Sequence, residues 1–350
     1  MQREVSMFLF AKNTAFPDPF PKGAVILIDK PLGWTSFDVV NKVRHHLKKR
    51  LDNKKLKVGH AGTLDPLATG LLVICVGDYT KRIDEFQAMA KAYTGTFTFG
   101  ATTASYDLEK PADTIFPTEH LNDDLLNVVI QPFIGTIQQV PPMYSAVKVD
   151  GKRMYKNART GEVVEIEPRT VQIDRFDIFS LRPVPQPVAE HRIVSARGAE
   201  IHLYPDYAAG MQADFEVHCG KGTYIRSLAF DVGVAAGTGA YLSGLRRTRS
   251  GGFSIEDAWG LEDLVGRGWV LINMCFLKHK ETTPPHKKQN KKHPPPKGGV
   301  KRGVFLFCVW WGLVFWGGGG GVHFPVFQTF KPQPTPTNQR INAYRGRLCG

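Results

Sequence analysis

Residues 59–70, Gly59-His60-Ala61-Gly62-Thr63-Leu64-Asp65-Pro66-Leu67-Ala68-Thr69-Gly70, constrain this chain more than any other stretch. They run directly into Leu71-Leu72-Val73-Ile74-Cys75-Val76-Gly77, a segment with no charged side chain. Such an apolar run reads as a buried strand. Three glycines and a proline just before it make a tight loop on a rigid support. Asp65 is the only carboxylate of that loop. An Asp before Pro in a glycine-rich turn is in the first instance a turn former; a lone acid on a rigid support is also a candidate for chemistry.

At 350 residues the chain has room for two ordinary domains, or for one large α/β domain with an appendage. Its formal charge of +13 points to a polyanionic partner until the charge is located. Residues 277–350 hold 13 Lys and Arg against the single acid Glu281, whereas the first 276 residues carry 32 basic and 31 acidic side chains. Whole-chain charge is therefore no argument that the folded part binds nucleic acid; only local clusters can make that case. The five cysteines (Cys75, Cys219, Cys275, Cys308, Cys349) form no C-x-x-C pair and have no histidine at metal spacing. That predicts a reducing cytosolic setting and no metal site. The N-terminus lacks the apolar run of a signal peptide, so residues 1–22 read as an extension of a cytoplasmic protein.

Ala24-Val25-Ile26-Leu27-Ile28 reads as a second buried strand, ended by Asp29-Lys30-Pro31-Leu32-Gly33. Thr35 and Asp38 have capping-box spacing, and Phe37, Val40, Val43, Leu47 and Leu51 follow at helical period, so a helix of about four turns is expected from near Ser36. Its far end carries Arg44, His45, His46, Lys48, Lys49 and Arg50, followed by Lys54, Lys55 and Lys57. A solvated basic face and a phosphate surface are both open there. Asp78 is expected to cap a second helix with Ile83, Phe86 and Met89 or Ala90 inward. Tyr93 opens a half-buried strand in which Phe97 and Phe99 alternate with threonines.

Further on, the pattern predicts a third helix over 122–134, extended chain through Pro141 and Pro142, a hairpin at Asp150-Gly151, a short basic helix over 153–159 and strands over 163–166 and 171–181. Residues 182–212, with four prolines, read as an irregular surface insertion. A strand over 213–219 meets Gly220-Lys221-Gly222-Thr223, which lacks P-loop spacing and in which Thr223 is expected to cap the next helix. Arg226 then falls in the first turn of that helix, the wrong end for the macrodipole, and so calls for a specific anionic partner. Residues 242–252 read as a glycine-containing basic loop that offers Arg246, Arg247 and Arg249 to phosphates or merely to solvent. Residues 254–264 form a closing element. The rest of the chain is Pro/Lys/His-rich, then Trp/Phe-rich over 304–316, then glycine-rich. That apolar piece falls short of the ~20 residues that cross a bilayer, so no membrane span is expected. The tail reads as a disordered or artefactual extension, such as a shifted reading frame.

Several of these stretches together resemble the bacterial tRNA pseudouridine synthase B family. The matching blocks are Leu27-Ile28-Asp29-Lys30-Pro31 with Gly33-Trp34-Thr35-Ser36, the whole of residues 59–70, and Lys91-Ala92-Tyr93. They continue with Gln139-Val140-Pro141-Pro142-Met143-Tyr144-Ser145-Ala146-Val147-Lys148, Lys221-Gly222-Thr223-Tyr224-Ile225-Arg226 and Leu245-Arg246-Arg247-Thr248. They follow one another in family order.

The resemblance implies an α+β pseudouridine synthase fold over residues 23–276, a mixed and mostly antiparallel sheet flanked by helices, with RNA lying across a cleft. It implies isomerisation of the T-loop uridine at tRNA position 55. Asp65 would be the essential aspartate, Tyr93 the ring stacked on the target base and Arg226 the partner of the aspartate. His60 would enter the space that the base vacates, Leu245 would pack beneath the site, and Tyr224 and Lys30 would support it. The partner would be tRNA, held at its T-loop and elbow by a monomer with no obligate protein partner. Making pseudouridine breaks the N1–C1′ bond, turns the base and joins C5 to C1′. No atom is gained and no redox change occurs, so no cofactor is expected. A flipped uracil costs a few kcal/mol of stacking, which an aromatic ring and a filler side chain offset. A carboxylate stabilises or traps the electron-poor sugar carbon, as in glycoside cleavage, and an arginine a few Å away favours its ionised form.

Two departures stand out. Ala104 occupies a position where many family members carry an acid, although Asp107 is retained, and residues 277–350 do not resemble the RNA-binding domain of PUA type that ends the longer members. The competing readings are a catalytically silent tRNA-binding or tRNA-folding module on the same scaffold, pseudouridylation of ribosomal or guide-directed RNA, and a hydrolase built on Asp65 and His60. The hydrolase lacks a second carboxylate to activate water within these motifs.

Overall fold

In a computed structural model of the chain, the structure describes residues 8–266 except 13, 15, 16, 18, 19, 145–147, 150, 151, 154–165, 186–190, 196, 197 and 199. All of the described residues belong to one compact unit. The strands are β1 (Leu9–Phe10), β2 (Gly23–Lys30), β3 (Val58–His60), β4 (Ala68–Gly77), β5 (Lys91–Phe99), β6 (Ala101–Thr103), β7 (Ala112–Ile115), β8 (Gly135–Gln139), β9 (Lys148–Val149) and β10 (Lys152–Arg153). There follow β11 (Arg169–Pro183), β12 (His191–Val194), β13 (Glu200–Leu203), β14 (Met211–Cys219), β15 (Ala240–Ser250), β16 (Phe253–Ser254) and β17 (Trp259–Gly260). The α-helices are α1 (Ser36–Arg50), α2 (Ile83–Ala88), α3 (Asp123–Val129), α4 (Ile225–Ala235) and α5 (Leu261–Gly266).

Among the described residues, eleven strands join in one sheet with the path β1-β2-β4-β15-β5-β14-β11-β8, and β3, β16 and β17 attached at its sides. The pairs β1/β2, β4/β15 and β2/β17 are parallel and the rest antiparallel, so the fold is α+β with a mixed, mostly antiparallel sheet, as expected. The uninterrupted apolar runs of β2 and β4 are explained by burial on both faces. Ala24, Ile26, Ile28, Leu72, Ile74 and Val76 meet Val39, Val40, Val43 and Leu47 of α1. On the other face Val25, Leu27, Leu71, Val73 and Cys75 meet Tyr79, Phe86 and Phe253. The far half of the sheet packs Phe97, Phe215, Val217 and Ile173 against Leu228, Ala229 and Val232 of α4.

Helix α1 begins where its capping box predicts: the Asp38 amide donates to Thr35 Oγ1 at 3.1 Å, and the Thr35 amide to Asp38 Oδ2 at 3.2 Å. Other local expectations give way to tertiary structure. Asp78 opens a short 3-10 turn instead of capping α2, and accepts from Lys81 Nζ. The helix expected over 122–134 stops at Val129 and gives way to a 3-10 turn containing Pro132, which cannot supply a helical N–H. Thr223 does not cap α4; its hydroxyl donates to Gly220 O at 3.1 Å, closing the preceding turn. The insertion at 182–212 is not wholly irregular, since β12 and β13 pair within it. β9 and β10 pair as the two arms of the expected hairpin, whose Asp150-Gly151 turn lies outside the described residues. The basic helix expected over 153–159 begins with Arg153 in β10, and its remainder lies outside the described residues, as do 163–165 and the tail 277–350.

The largest correction concerns residues 242–252. They are mainly strand β15, lying in the middle of the sheet between β4 and β5. Gly95 of β5 sits opposite Leu245 of β15, and a Cβ on Gly95 would strike the carbonyl oxygen of the neighbouring Gly244. Gly95 thus permits the close approach of β5 to β15, and Gly244 lies within a strand instead of a flexible loop.

Candidate active site

Asp65 lies in the loop between β3 and β4, and its flanks are tied from several directions. The Ser36 hydroxyl, at the first residue of α1, accepts from Leu64 N–H at 2.8 Å and donates to Leu64 O at 3.1 Å. Gly33 N–H donates to Pro66 O at 2.9 Å, and Ala68 N–H to Asp65 O at 3.1 Å. Lys30 is fully buried and donates to Trp34 O at 2.6 Å, Pro31 O at 3.0 Å and Pro66 O at 3.4 Å. Burial lowers the Lys30 pKa to about 8, against the opposing pull of Asp65.

β15 registers both sides of the site. Leu245 pairs with Ala68 on β4 and with Gly95 on β5, while Arg247 pairs with Gly70 and with Tyr93. Gly70 adopts φ +100°, and a Cβ there would run into the main chain of Arg247. The buried Arg247 side chain donates from Nε to Leu71 O at 2.7 Å and from Nη2 to Gly62 O at 3.2 Å. It thus fastens the loop to the strand that follows it. Arg246, on the other face of β15, forms a bidentate pair with Asp29 at 3.1 and 2.7 Å. Arg249 is exposed. The three arginines therefore do not form one phosphate surface: alternation separates Arg246 from Arg247, Arg247 is buried, and a register shift in β15 lies between Arg247 and the exposed Arg249.

Arg226 supplies the counter-charge at the first turn of α4. Its Nε lies 2.9 Å from Asp65 Oδ2, with the arginine side chain 6% exposed and the aspartate side chain 41% exposed. Nη1 donates to Ser105 O at 3.1 Å and lies 3.6 Å from Asp107 Oδ2, and Nη2 donates to Tyr144 O at 2.9 Å. Burial opposes the arginine's charge, but Asp65, Asp107 and Glu109 outweigh it and raise its pKa. Asp107 is buried and accepts from Ser105 Oγ at 2.6 Å and Glu109 N–H at 3.0 Å. Burial pushes its pKa up and Arg226 holds it down. Glu109 is pushed up to about 7, first by burial and then by Asp107.

Asp65 and Arg226 stand in the wall of a cleft of about 290 Å³ that is also lined by Tyr93, Tyr224, Leu245 and Arg247. Burial raises the Tyr93 pKa while Arg247, bonded to its side chain, opposes the rise; the phenol keeps its proton at neutral pH. Five of the seven expected site residues thus meet at one cleft. Lys30 acts from behind the loop. His60, in β3, is outside the cleft wall, and its Nδ1 is buried without a hydrogen-bond partner among the described residues. Burial, then Arg247, lowers the His60 pKa. Sequence reasoning missed Arg247 as a buried brace and Asp107 as the second carboxylate of Arg226. An isolated bridge between Asp107 and Leu242 places Asp107, and no local pattern announces such a contact. Among the described residues, no group of three His, Cys, Asp or Glu side chains could hold a metal, and no helix is long and apolar enough to cross a membrane.

The profile of the TruB family pseudouridylate synthase N-terminal domain matches residues 48–225, and that of the tRNA pseudouridylate synthase B C-terminal domain matches 226–273. The chain belongs to the TruB family. It is 47% identical over 243 residues to the tRNA pseudouridine synthase B of Flavobacterium johnsoniae, covering 69% of this chain and 94% of the relative. The same protein of Phocaeicola vulgatus is 47% identical over 243 residues, covering 69% of this chain and 92% of the relative. A solved Cbf5-Nop10-Gar1 complex contains a chain 27% identical, with TM-score 0.46 over 75% of this chain and 60% of that one. The boundary between the two TruB profiles falls between Ile225 and Arg226, so it cuts through the site. Asp65 and Tyr93 lie on one side and Arg226 and Leu245 on the other, and β15 of the second segment is a central strand of the common sheet.

Proposed function

We propose that this protein isomerises the T-loop uridine at position 55 of tRNA to pseudouridine, with Asp65 as the essential carboxylate. The observation that carries the reading is the Asp65–Arg226 pair at 2.9 Å in the wall of a cleft that also holds Tyr93. The activity named for the 47%-identical relatives supports it. The uracil turns out of the T-loop and its face meets the Tyr93 ring, which offsets lost stacking. Asp65 presents negative charge to C1′ as the N1–C1′ bond breaks, the base rotates, and C5 joins C1′. The C5 proton leaves to a base in the cleft and N1 gains a proton, so atoms balance without a cofactor. Arg226 holds the carboxylate by its Nε while its other nitrogens are anchored elsewhere, which fixes the acid in place. His60, beside the loop, fills the space left by the flipped base.

The catalytic domain occupies residues 23–276, acts as a cytoplasmic monomer on tRNA alone, and needs nothing from residues 277–350. The test is incubation of the full chain, and of residues 1–276, with unmodified tRNA transcript, followed by mapping of pseudouridine through chemical adducts and primer extension. A signal at uridine 55 that is lost in Asp65→Asn and kept without the tail is expected. Tight tRNA binding with no isomerisation by the wild type would make the chain a tRNA-folding module instead.

A further inference from the structure

Arg226 can meet Asp65 only if the start of α4 is held in register, and the helix does not hold itself there. Its N-cap, Tyr224, makes no side-chain capping bond. In an ordinary capping box, a Glu or Gln at the third helical position reaches back to the N-cap amide. Here that position is Ser227, whose hydroxyl is turned away and donates to Val140 O at 2.7 Å. The missing partner comes from the end of β8. Gln139 Oε1 accepts from Tyr224 N–H at 2.7 Å, and Gln139 Nε2 donates to Tyr224 O at 3.1 Å. One carboxamide thus reads both main-chain groups of a single residue, two positions before Arg226.

Gln139 is 1% exposed and does not line the cleft. Its own place is set by β8, where its main chain pairs with Arg169 of β11. Beyond it, Pro141 and Pro142 stiffen the chain as far as Tyr144, whose carbonyl accepts from Arg226 Nη2 at 2.9 Å. The segment 139–144 therefore grips α4 at Tyr224, Arg226 and Ser227. We infer that Gln139 is a positioning residue for the reaction, acting through Tyr224 to set the Arg226–Asp65 geometry. This rests on the role proposed above for Arg226. A displacement of about 1 Å at such a pair is enough to cost on the order of a hundredfold in rate.

The test measures single-turnover pseudouridine formation and tRNA affinity for the wild type, Gln139→Ala, Gln139→Glu, Arg226→Lys, Arg226→Ala and the double variant Gln139→Ala/Arg226→Lys. Gln139→Glu keeps an acceptor for Tyr224 N–H, loses the donor to Tyr224 O, and carries the test if the alanine variant fails to fold. The expected result is a rate roughly 10- to 100-fold lower in Gln139→Ala, a smaller loss in Gln139→Glu, and tRNA affinity within about twofold of wild type. In the Arg226→Lys background, Gln139→Ala should cost less than about twofold, because the geometry it protects is already lost. A purely structural role would instead cost the same factor in both backgrounds, which overturns the inference. So would a rate within about twofold of wild type in folded Gln139 variants beside a slowed Arg226→Lys. A wild-type rate in Arg226→Lys and in Arg226→Ala would instead remove the role of Arg226, and the inference with it.

Discussion

Two acid–arginine pairs flank β15, and their surroundings differ. Asp29–Arg246 closes at 2.7 Å with side chains 33% and 42% exposed. Asp65–Arg226 closes at 2.9 Å with an arginine that is almost wholly enclosed and shared with Asp107. The first pair is screened by water and exchanges one set of hydrogen bonds for another. The second holds an enclosed guanidinium between a half-exposed carboxylate and a buried one, so removing the arginine leaves Asp107 buried without its counter-charge. Identical chemistry thus serves as surface complementarity in one region and as a poised site in the other.

The contrast breaks most readily at Arg226. Arg226→Ala should lower turnover by about 10²–10³ with little change in tRNA affinity, and destabilise the fold by roughly 3–5 kcal/mol because Asp107 is left buried without its partner. Single-turnover kinetics and denaturant unfolding measure the two, and equal losses of turnover and affinity would make Arg226 a phosphate contact. Arg247→Met comes next. It strands Leu71 O and Gly62 O at an expected cost of about 1–3 kcal/mol, read as a fall in unfolding temperature of roughly 2–4 °C per kcal/mol.

Glu109 sharpens the contrast through pH. Its pKa is pushed up from the ordinary 4.5 to about 7, so the folded state holds a proton that the unfolded chain has released. Stability on this account falls as pH rises from about 4.5 to 7 and stays reduced above that. Glu109→Gln should therefore raise the unfolding temperature at pH 8 and leave it unchanged at pH 4, and thermal melts at the two pH values decide it. The smallest effect belongs to Arg246→Ala, with about 0.2–1 kcal/mol and turnover within about twofold. If it matches Arg226→Ala in either assay, enclosure is not what separates the two pairs.

Much of the fold could be read from local pattern. The capping box placed α1, the apolar runs placed β2 and β4, and alternation placed β5 and β14, since each signal sits within a few residues of what it specifies. Asp65, Tyr93, Tyr224, Arg226 and Leu245 meet at the cleft, as their motifs suggested. The misreadings share a cause. Arg246 and Arg247 read as one basic patch because sequence adjacency hides the alternating faces of a central strand. Thr223 read as a cap because its hydroxyl could equally close a turn. The pairing of Asp107 with Arg226 depends on a bridge to Leu242, a contact between distant segments with no local trace.

Gly70 ends the twelve-residue motif inside β4, and its lack of a side chain answers to the Arg247 backbone lying against it. The motif is thus partly an imprint of a strand encoded elsewhere in the chain. Transplanting residues 59–70 onto another scaffold would carry the acid across but leave behind the surface against which the loop was moulded.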